Sequence, residues 1–312
     1  MTLLLRRAGW VLGSLAGCTI LAFGLAGVRW SESNLRVRKR PPEPAPSSAP
    51  LDRLGIRWQA VQISARDGAR LHAWLLRSKS TEVGCVIALH GLGEPRTDML
   101  GLAPMFLSQG YCMLTPDNRA LGESGGEIVT YGVREVDDVH RWVDWLETSQ
   151  HPGNLFGFGE SLGAEVLLQS LRPGTRFNAV VADSTFSELS SVAGERLERR
   201  IPLPWAVAHA GAGMVVAAGF TYAWLRYGVN LRSASVLEAI RFVRTPILLI
   251  HGAKDTRTPV WHSKLLAAEN PGSVELWVVP GAEHVESIVF APDEYRRRVL
   301  GWFADHVRQA QP

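Results

Sequence analysis

Gly157-Phe158-Gly159-Glu160-Ser161-Leu162-Gly163-Ala164 is the stretch on which the reading of the chain turns. Asn154-Leu155-Phe156 run into it as an apolar strand candidate, and Ala164 to Leu171 run out with a helical pattern. Within it lies Gly159-x-Ser161-x-Gly163. Glycines at this spacing let the backbone make a very tight strand-to-helix turn, which lifts the serine hydroxyl to the top of a sheet. The helix that follows aims its N-terminal amides at the same point and favours a developing negative charge there. The pentapeptide occurs by chance in many chains, so its weight comes from the strand–turn–helix context and from companions elsewhere.

Two companions lie downstream. Asp255 closes His251-Gly252-Ala253-Lys254-Asp255, directly after an apolar strand over Pro246–Ile250. His284 closes Gly281-Ala282-Glu283-His284, directly after Val274–Val279. Ser161, Asp255 and His284 therefore each follow a separate strand, in the order Ser, Asp, His. At the carboxyl ends of a parallel sheet they form a nucleophile, an orienting acid and a base. Asp183, at the end of another strand, is the rival for the acid; the His251-Gly252 lead-in favours Asp255. Such chemistry also needs donors for an oxyanion. The amide of Leu162, after the serine, is one, and the amide of Leu92 in His90-Gly91-Leu92-Gly93 is the other. His90 and His251 read as turn formers or supporting donors, and Glu160 as a local hydrogen-bonding residue.

These pieces, with Asp117-x-Arg119 and Gly122-x-Ser124 between them, carry a resemblance. From about Leu51 to the C-terminus the chain resembles the α/β-hydrolase superfamily. It is most similar to small membrane-anchored serine hydrolases near the prolyl-oligopeptidase-like and dienelactone-hydrolase-like branches. The resemblance implies an eight-stranded, mostly parallel sheet with helices on both faces, a cap after the sixth strand, no metal, and hydrolysis of an ester, thioester or amide. Ala120 departs from it, standing where the family often has glycine after the arginine. Asp117 and Arg119 are expected to fix their loop rather than to act on substrate.

The rest of the chain agrees with that class. Ile56–Ser64 and Arg70–Arg77 read as a hairpin around Arg66-Asp67-Gly68-Ala69. Val83–Leu89 is a nearly continuous apolar strand, as in a sheet covered on both faces. A helix is expected over Thr97–Gln109, a strand over Tyr111–Thr115, a helix over Val133–Glu147 with apolar residues at 136, 139, 143 and 146, a strand over Phe177–Ala182, and a final helix over Tyr295–Val307. Strands alternating with helices give a parallel sheet wrapped on both sides, with an antiparallel edge.

The alternation breaks between Asp183 and Arg244. Leu203–Tyr227 is apolar and dense in Ala, Gly and aromatics, interrupted only by His209 and Arg226. The preferred reading is a helical cap, an insertion over about 184–243, whose apolar face lines an acyl or aromatic pocket. A packed helix pair without substrate contact and a segment dipping into a membrane surface are the alternatives.

Ahead of the domain, Ala8–Val28 carries no charged side chain and in helix spans ~30 Å, the thickness of a bilayer core. Residues 1–30 are read first as a membrane anchor, second as a cleaved signal, and third as a lipoprotein signal ending at Cys18. Residues 31–50 are a basic and proline-rich linker, with five prolines from Pro41 to Pro50; residues 51–312 form the hydrolase domain. Arg29, Arg36, Arg38, Lys39 and Arg40 outnumber Arg6 and Arg7, which leans the domain to the cytoplasmic side. The basic cluster is also suited to anionic headgroups.

Composition excludes other classes. A hydrophobic content of 46% with 20% charged residues is globular. A net charge of +3, spread out, gives no field for nucleic acid. Cys85 and Cys112 fall in apolar runs and read as buried thiols, and no cysteine or histidine spacing suits a metal. No cofactor is called for; the expected partners are a small acyl substrate and, through the N-terminus, membrane lipid. A serine esterase or thioesterase ranks first. A peptidase is second, since the segment before the fold is too short for a gating propeller. A hydrolase-fold binding protein without turnover is third, since no triad member is missing.

Overall fold

The computed structural model describes residues 2–40, 55–78, 83–172, 174 and 176–308, with the side chains of residues up to 16 excepted. Of the linker expected over 31–50, residues 31–35 instead continue the first helix, and 41–50 lie outside the described residues. The chain divides into two compact units: Met1–Leu35 with Ser190–Ser233, and Arg36–Leu189 with Ala234–Pro312.

The larger unit holds an eight-stranded sheet: β1 Arg57–Ser64, β2 Arg70–Arg77, β3 Gly84–Leu89, β4 Tyr111–Pro116, β5 Leu155–Glu160, β6 Ala179–Asp183, β7 Ile247–Gly252 and β8 Val274–Val279. Their order is β1-β2-β4-β3-β5-β6-β7-β8. β1 pairs antiparallel with β2, and β2 with β4; every other pairing is parallel. The hairpin expected from Asp67-Gly68 thus forms the antiparallel edge, with Gly68 at φ 83° in its turn. β3 and β4 are buried along their whole length, which explains their unbroken apolar runs.

On one face an aromatic cluster closes the core. Phe303, from the last helix, packs on Phe156 at 4.7 Å between centroids and on Phe106 at 5.8 Å. The helix expected over Thr97–Gln109 is split into a 3₁₀ turn, Arg96–Leu102, and α2, Ala103–Leu107. Pro104 is the cause, because a residue without an N–H is suited to a helix's first turn and not its interior. The remaining helices of this unit include α3 Glu135–Ser149, α4 Leu162–Gln169, α7 Val236–Ile240, α8 Trp261–Glu269, α9 Ser287–Phe290 and α10 Pro292–Asp305.

One expectation is corrected here. Cys85 and Cys112 are not free thiols but a disulfide, with Cα atoms 4.5 Å apart. They are register partners on the neighbouring parallel strands β3 and β4, a proximity that a separation of 27 residues does not announce. The basic cluster after Leu35 is engaged with protein: Arg36 pairs with Glu127 at 2.5 Å, Lys39 donates to the Ser124 carbonyl at 2.5 Å, and Arg40 lies 3.8 Å from Asp98.

The smaller unit is helical. It contains α1, Thr2–Leu35, and α6, Trp205–Tyr227, with α5, Leu189–Glu198, ahead of α6. The apolar stretch expected over Leu203–Tyr227 is one helix of 23 residues, starting after Pro204 and ending on Gly228 at φ 65°. By length and composition it is long and apolar enough to cross a membrane. α1 and α6 approach closely: a Cβ added to Gly27 would lie 2.5 Å from Ala218 Cβ. Glu32 accepts from the Tyr222 hydroxyl at 2.7 Å and from the Tyr227 hydroxyl at 2.5 Å.

Candidate active site

Ser161 sits between β5 and α4 with φ 49° and ψ −118°, a conformation that a non-glycine residue adopts only under constraint. The flanking glycines supply it. A Cβ on Gly163 would lie 2.1 Å from the Leu89 carbonyl oxygen, and one on Gly159 would lie 2.6 Å from the backbone of Gly163 and Ala164. The Ser161 N–H donates to the Asp183 carbonyl at 2.9 Å, tying the turn to the end of β6.

His284 reaches this hydroxyl from the loop after β8. Its Nε2 is 2.9 Å from Ser161 Oγ, and its Nδ1 is 2.7 Å from Asp255 Oδ2. Asp255 is buried after β7, and its Oδ1 accepts the amides of Arg257 and Thr258 at 2.8 Å each. His251 Nε2 lies 3.2 Å from Asp255 Oδ2. Burial alone would raise this carboxyl's pKa, but the hydrogen bonds from His251 and His284 outweigh it and hold the group well below the usual range. The structure therefore brings the three side chains together, and it turns Asp183 elsewhere.

Asp183 Oδ1 accepts from Ser184 Oγ at 2.9 Å, and Oδ2 from the Tyr295 hydroxyl at 3.0 Å. Burial pushes its pKa up to about 6 against those two bonds. Ser184 Oγ in turn accepts the N–H of Val285, next to His284, at 3.0 Å.

The two amides expected to receive an oxyanion are in place at the chain level. Leu162 is the first residue of α4, and Leu92 follows β3, whose end touches α4 at Gly163. Among the described residues neither amide donates to a protein acceptor. The loop carrying Leu92 is pinned on both sides. The Gly91 N–H donates to Glu94 Oε2 at 2.9 Å. Asn118 donates its N–H to His90 Nε2 and its side-chain amide to the His90 carbonyl, each at 3.0 Å. His90 Nε2 is therefore the acceptor, and its proton sits on Nδ1, 2.8 Å from the Gly91 carbonyl. Burial lowers the pKa of this imidazole, in keeping with a neutral ring.

Around this geometry, the family model of the prolyl oligopeptidase family matches residues 100–310. The chain belongs to the prolyl oligopeptidase family. It is thereby a hydrolase of the α/β-hydrolase fold. The esterase Pf2001 of Pyrococcus furiosus superposes with a TM-score of 0.67 at 26% identity, covering 86% of this chain and 100% of that one. YqkD of Bacillus subtilis is 28% identical over 218 residues, 69% of each chain. The α/β hydrolase domain-containing protein WAV2 of Arabidopsis thaliana is 26% identical over 232 residues, 70% of each chain.

Within this prolyl oligopeptidase family member, Asp117 and Arg119 hold their loop. Asp117 accepts the Arg96 N–H at 2.9 Å, the Arg96 guanidinium, and the Glu123 N–H at 2.8 Å. Arg119 makes a bidentate pair with Asp138, 2.7 Å for both bonds, and reaches Asp67 at 2.8 Å. Burial pushes the Asp138 pKa up to about 6 despite that arginine. Ala120 stands at φ 60°, which explains why glycine suits this position.

Glu160 departs from expectation. Its carboxylate has no hydrogen-bond partner among the described residues, and burial together with the Asp183 charge raises its pKa well above the carboxylate range. Sequence reasoning also missed Glu94, Asn118, Ser184 and Tyr295: the last three act through contacts distant in the chain, and only Glu94, directly after Gly91-Leu92-Gly93, offered a local signal. Among the described residues no group of three or more His, Cys, Asp or Glu is arranged to hold a metal ion.

Proposed function

We propose that this protein cleaves an acyl ester or thioester through an acyl-enzyme on Ser161. The observation that carries the reading is the continuous pair of contacts at His284: Nε2 2.9 Å from Ser161 Oγ, Nδ1 2.7 Å from Asp255 Oδ2. In this mechanism Ser161 Oγ attacks the acyl carbonyl and its proton passes to His284 Nε2. Asp255, ionised over the whole physiological range, keeps the imidazole in the required tautomer and stabilises its protonated form. The negative charge on the former carbonyl oxygen is received by the amides of Leu92 and Leu162, a donor of this kind contributing ~3 kcal/mol. The tetrahedral species then expels the alcohol or thiol, which takes the proton from His284. Water repeats the sequence and releases the acid.

The likeness to the Pyrococcus furiosus esterase ranks the ester above the amide. The family's name keeps peptide or amide cleavage as the second reading. Labelling by a fluorophosphonate probe tests the nucleophile: wild type labels and Ser161→Ala does not. Equal labelling of both, or none of either, removes the hydrolase mechanism, and with it leaves a binding protein. A panel of nitrophenyl esters, acyl-CoA thioesters and aminoacyl amides then ranks the bonds.

The membrane reading of the N-terminus belongs to the same proposal. Ala8–Val28 is uncharged within one continuous helix, Thr2–Leu35, and this length matches a bilayer core. We read α1 as a lipid-embedded anchor. Alkaline carbonate extraction of membranes tests it: an anchored chain stays in the pellet, a peripheral one is released.

A further inference from the structure

The smaller unit shows more than one helix facing outward without protein cover. From Gly17 to Ala22 every residue of α1 is exposed, so the helix is bare on all sides over more than one turn. None of these residues is charged; Ile20 is 73% exposed and Leu21 63%.

α6 runs parallel to α1. Contacts along the pair rise together in both helices: a Cβ on Gly211 would meet Phe23 at 3.9 Å, Gly27 meets Ala218 and Gly219, Trp30 meets Phe220, and Glu32 meets Tyr222. The first turns of α6 are therefore level with the bare part of α1. There, too, the outer side chains are apolar: Trp205, Val207 and Met214, preceded by Leu203, are all exposed. From Ile201 to Leu225 there is no Asp, Glu, Lys or Arg, and the one histidine, His209, has its Nδ1 3.1 Å from Glu198. An apolar surface of this extent, continuous over two helices, marks an interaction site. Arg199 and Arg200, exposed at the end of α5, flank it with positive charge and long stems that snorkel toward phosphates.

We propose that the tip between α5 and α6, with Leu203, Trp205 and Val207 at its outer end, inserts into an anionic lipid bilayer beside α1. This rests on the reading of α1 as an anchor. The lipid is the occupant because the bare stretch of α1 lies within the uncharged run Ala8–Val28 of the same helix, and the tip is level with it. The arginines set the depth by remaining among the headgroups, while the apolar tip passes below them.

The test uses the full chain in vesicles of phosphatidylcholine and phosphatidylglycerol. In a Cys18→Ser background, single cysteines are introduced by Leu203→Cys, Val207→Cys, Leu21→Cys and, as an aqueous reference, Phe242→Cys, and labelled with an environment-sensitive fluorophore. Expected is blue-shifted emission at 203, 207 and 21, quenched by spin-labelled lipid chains and insensitive to aqueous iodide, with the reverse at 242. Protection at 21 with iodide quenching at 203 and 207 overturns the tip and leaves the anchor. Iodide quenching at all four positions overturns the anchor reading and the tip with it. Protection at 203 and 207 from both quenchers means that protein, such as a second copy, covers the surface, and also overturns the proposal. Two tip positions guard against one substitution failing to fold.

Discussion

Ser184 Oγ accepts the backbone N–H of Val285 at 3.0 Å while donating to Asp183 Oδ1 at 2.9 Å. Both residues are held at positive φ, 57° for Ser184 and 60° for Val285, and neither is glycine. Asp183 also accepts the Ser161 N–H on its carbonyl at 2.9 Å. One dipeptide at the end of β6 therefore fixes the backbone beside the nucleophile and the backbone beside the base. Removing the hydroxyl frees the His284 loop from its constrained conformation. Ser184→Ala is expected to lower kcat by ~10²-fold, the size of effect that a displacement of about 1 Å produces, with KM little changed. Ser184→Thr, which keeps the hydroxyl, should restore most of the rate. Steady-state kinetics on a nitrophenyl ester separates the two parameters; a loss carried by KM alone contradicts a positioning role.

Ser161 and His284 form one proton-transfer unit in the proposed mechanism, so their contributions do not add. Ser161→Ala and His284→Ala are each expected to cost ~10⁶ in kcat, and the double variant scarcely more. Rate losses that multiply on combining the two would mean that each acts alone.

Asp183 and Asp138 both carry pKa values pushed up to about 6 by burial, from an ordinary 3.8. A carboxyl with its folded value above its unfolded value favours folding fully below the unfolded pKa and loses that contribution as pH rises through the folded pKa. The window is therefore about pH 4 to 6, and the loss is of order 2–3 kcal/mol for a fully buried group. Asp255, held low, acts in the opposite direction and only in stronger acid. Asp183→Asn should flatten the pH dependence of the urea midpoint between pH 4 and 7 relative to wild type. An unchanged slope would show that Asp183 does not titrate in that range.

The architecture was legible because the chemistry of each strand is local. β3, β4 and β7 are buried on both faces and spell it in unbroken apolar runs, and Gly159, Ser161 and Gly163 must be what they are for α4 to leave β5 so abruptly. The preference for Asp255 over Asp183 could be drawn from His251-Gly252, and β7 and β8 do place it beside His284. What was not legible depends on distance in the chain. Tyr295 and Ser184 are ordinary residues until a helix from the far end brings the phenol to Asp183. Glu160 reads as a local hydrogen-bonding residue until β6 sets Asp183 next to it. The pairing of Cys85 with Cys112 follows from a strand register that hydropathy does not encode, because both residues are apolar-run members in any register.

That disulfide bears on topology. Disulfides persist in oxidising compartments and are rare in the cytosol, whereas the charges flanking the first apolar run lean the domain to the cytoplasmic side. The engagement of Arg36, Lys39 and Arg40 with protein groups weakens that charge argument, and the catalytic domain is expected on the oxidising side. Alkylation with a mass-tagged maleimide of cells lysed directly into denaturant, before and after reduction, checks this. One tag before reduction, on Cys18, and three after is the expected outcome; three tags without reduction would return the domain to the cytosol.

Gly252 offers the sharpest steric test of how β7 supports the base. A Cβ there would lie 2.3 Å from the Glu283 carbonyl oxygen and 2.4 Å from that of Ala282, and both are backbone atoms with no rotamer to yield. The carbonyl of Ala282 also accepts the Lys254 N–H at 2.9 Å, so the Asp255 turn and the His284 loop move together. Gly252→Ala must push the His284 loop away from β7, at a cost of ~1–3 kcal/mol in stability and of ~10²-fold or more in kcat through misplacement of the imidazole. Gly153→Ala is the control, since a Cβ there meets nothing within 4 Å and should alter stability by no more than about 0.5 kcal/mol. Thermal melts and ester turnover of the two variants decide the matter: a Gly252→Ala protein with wild-type turnover would show that the loop reaches its working position without this close approach.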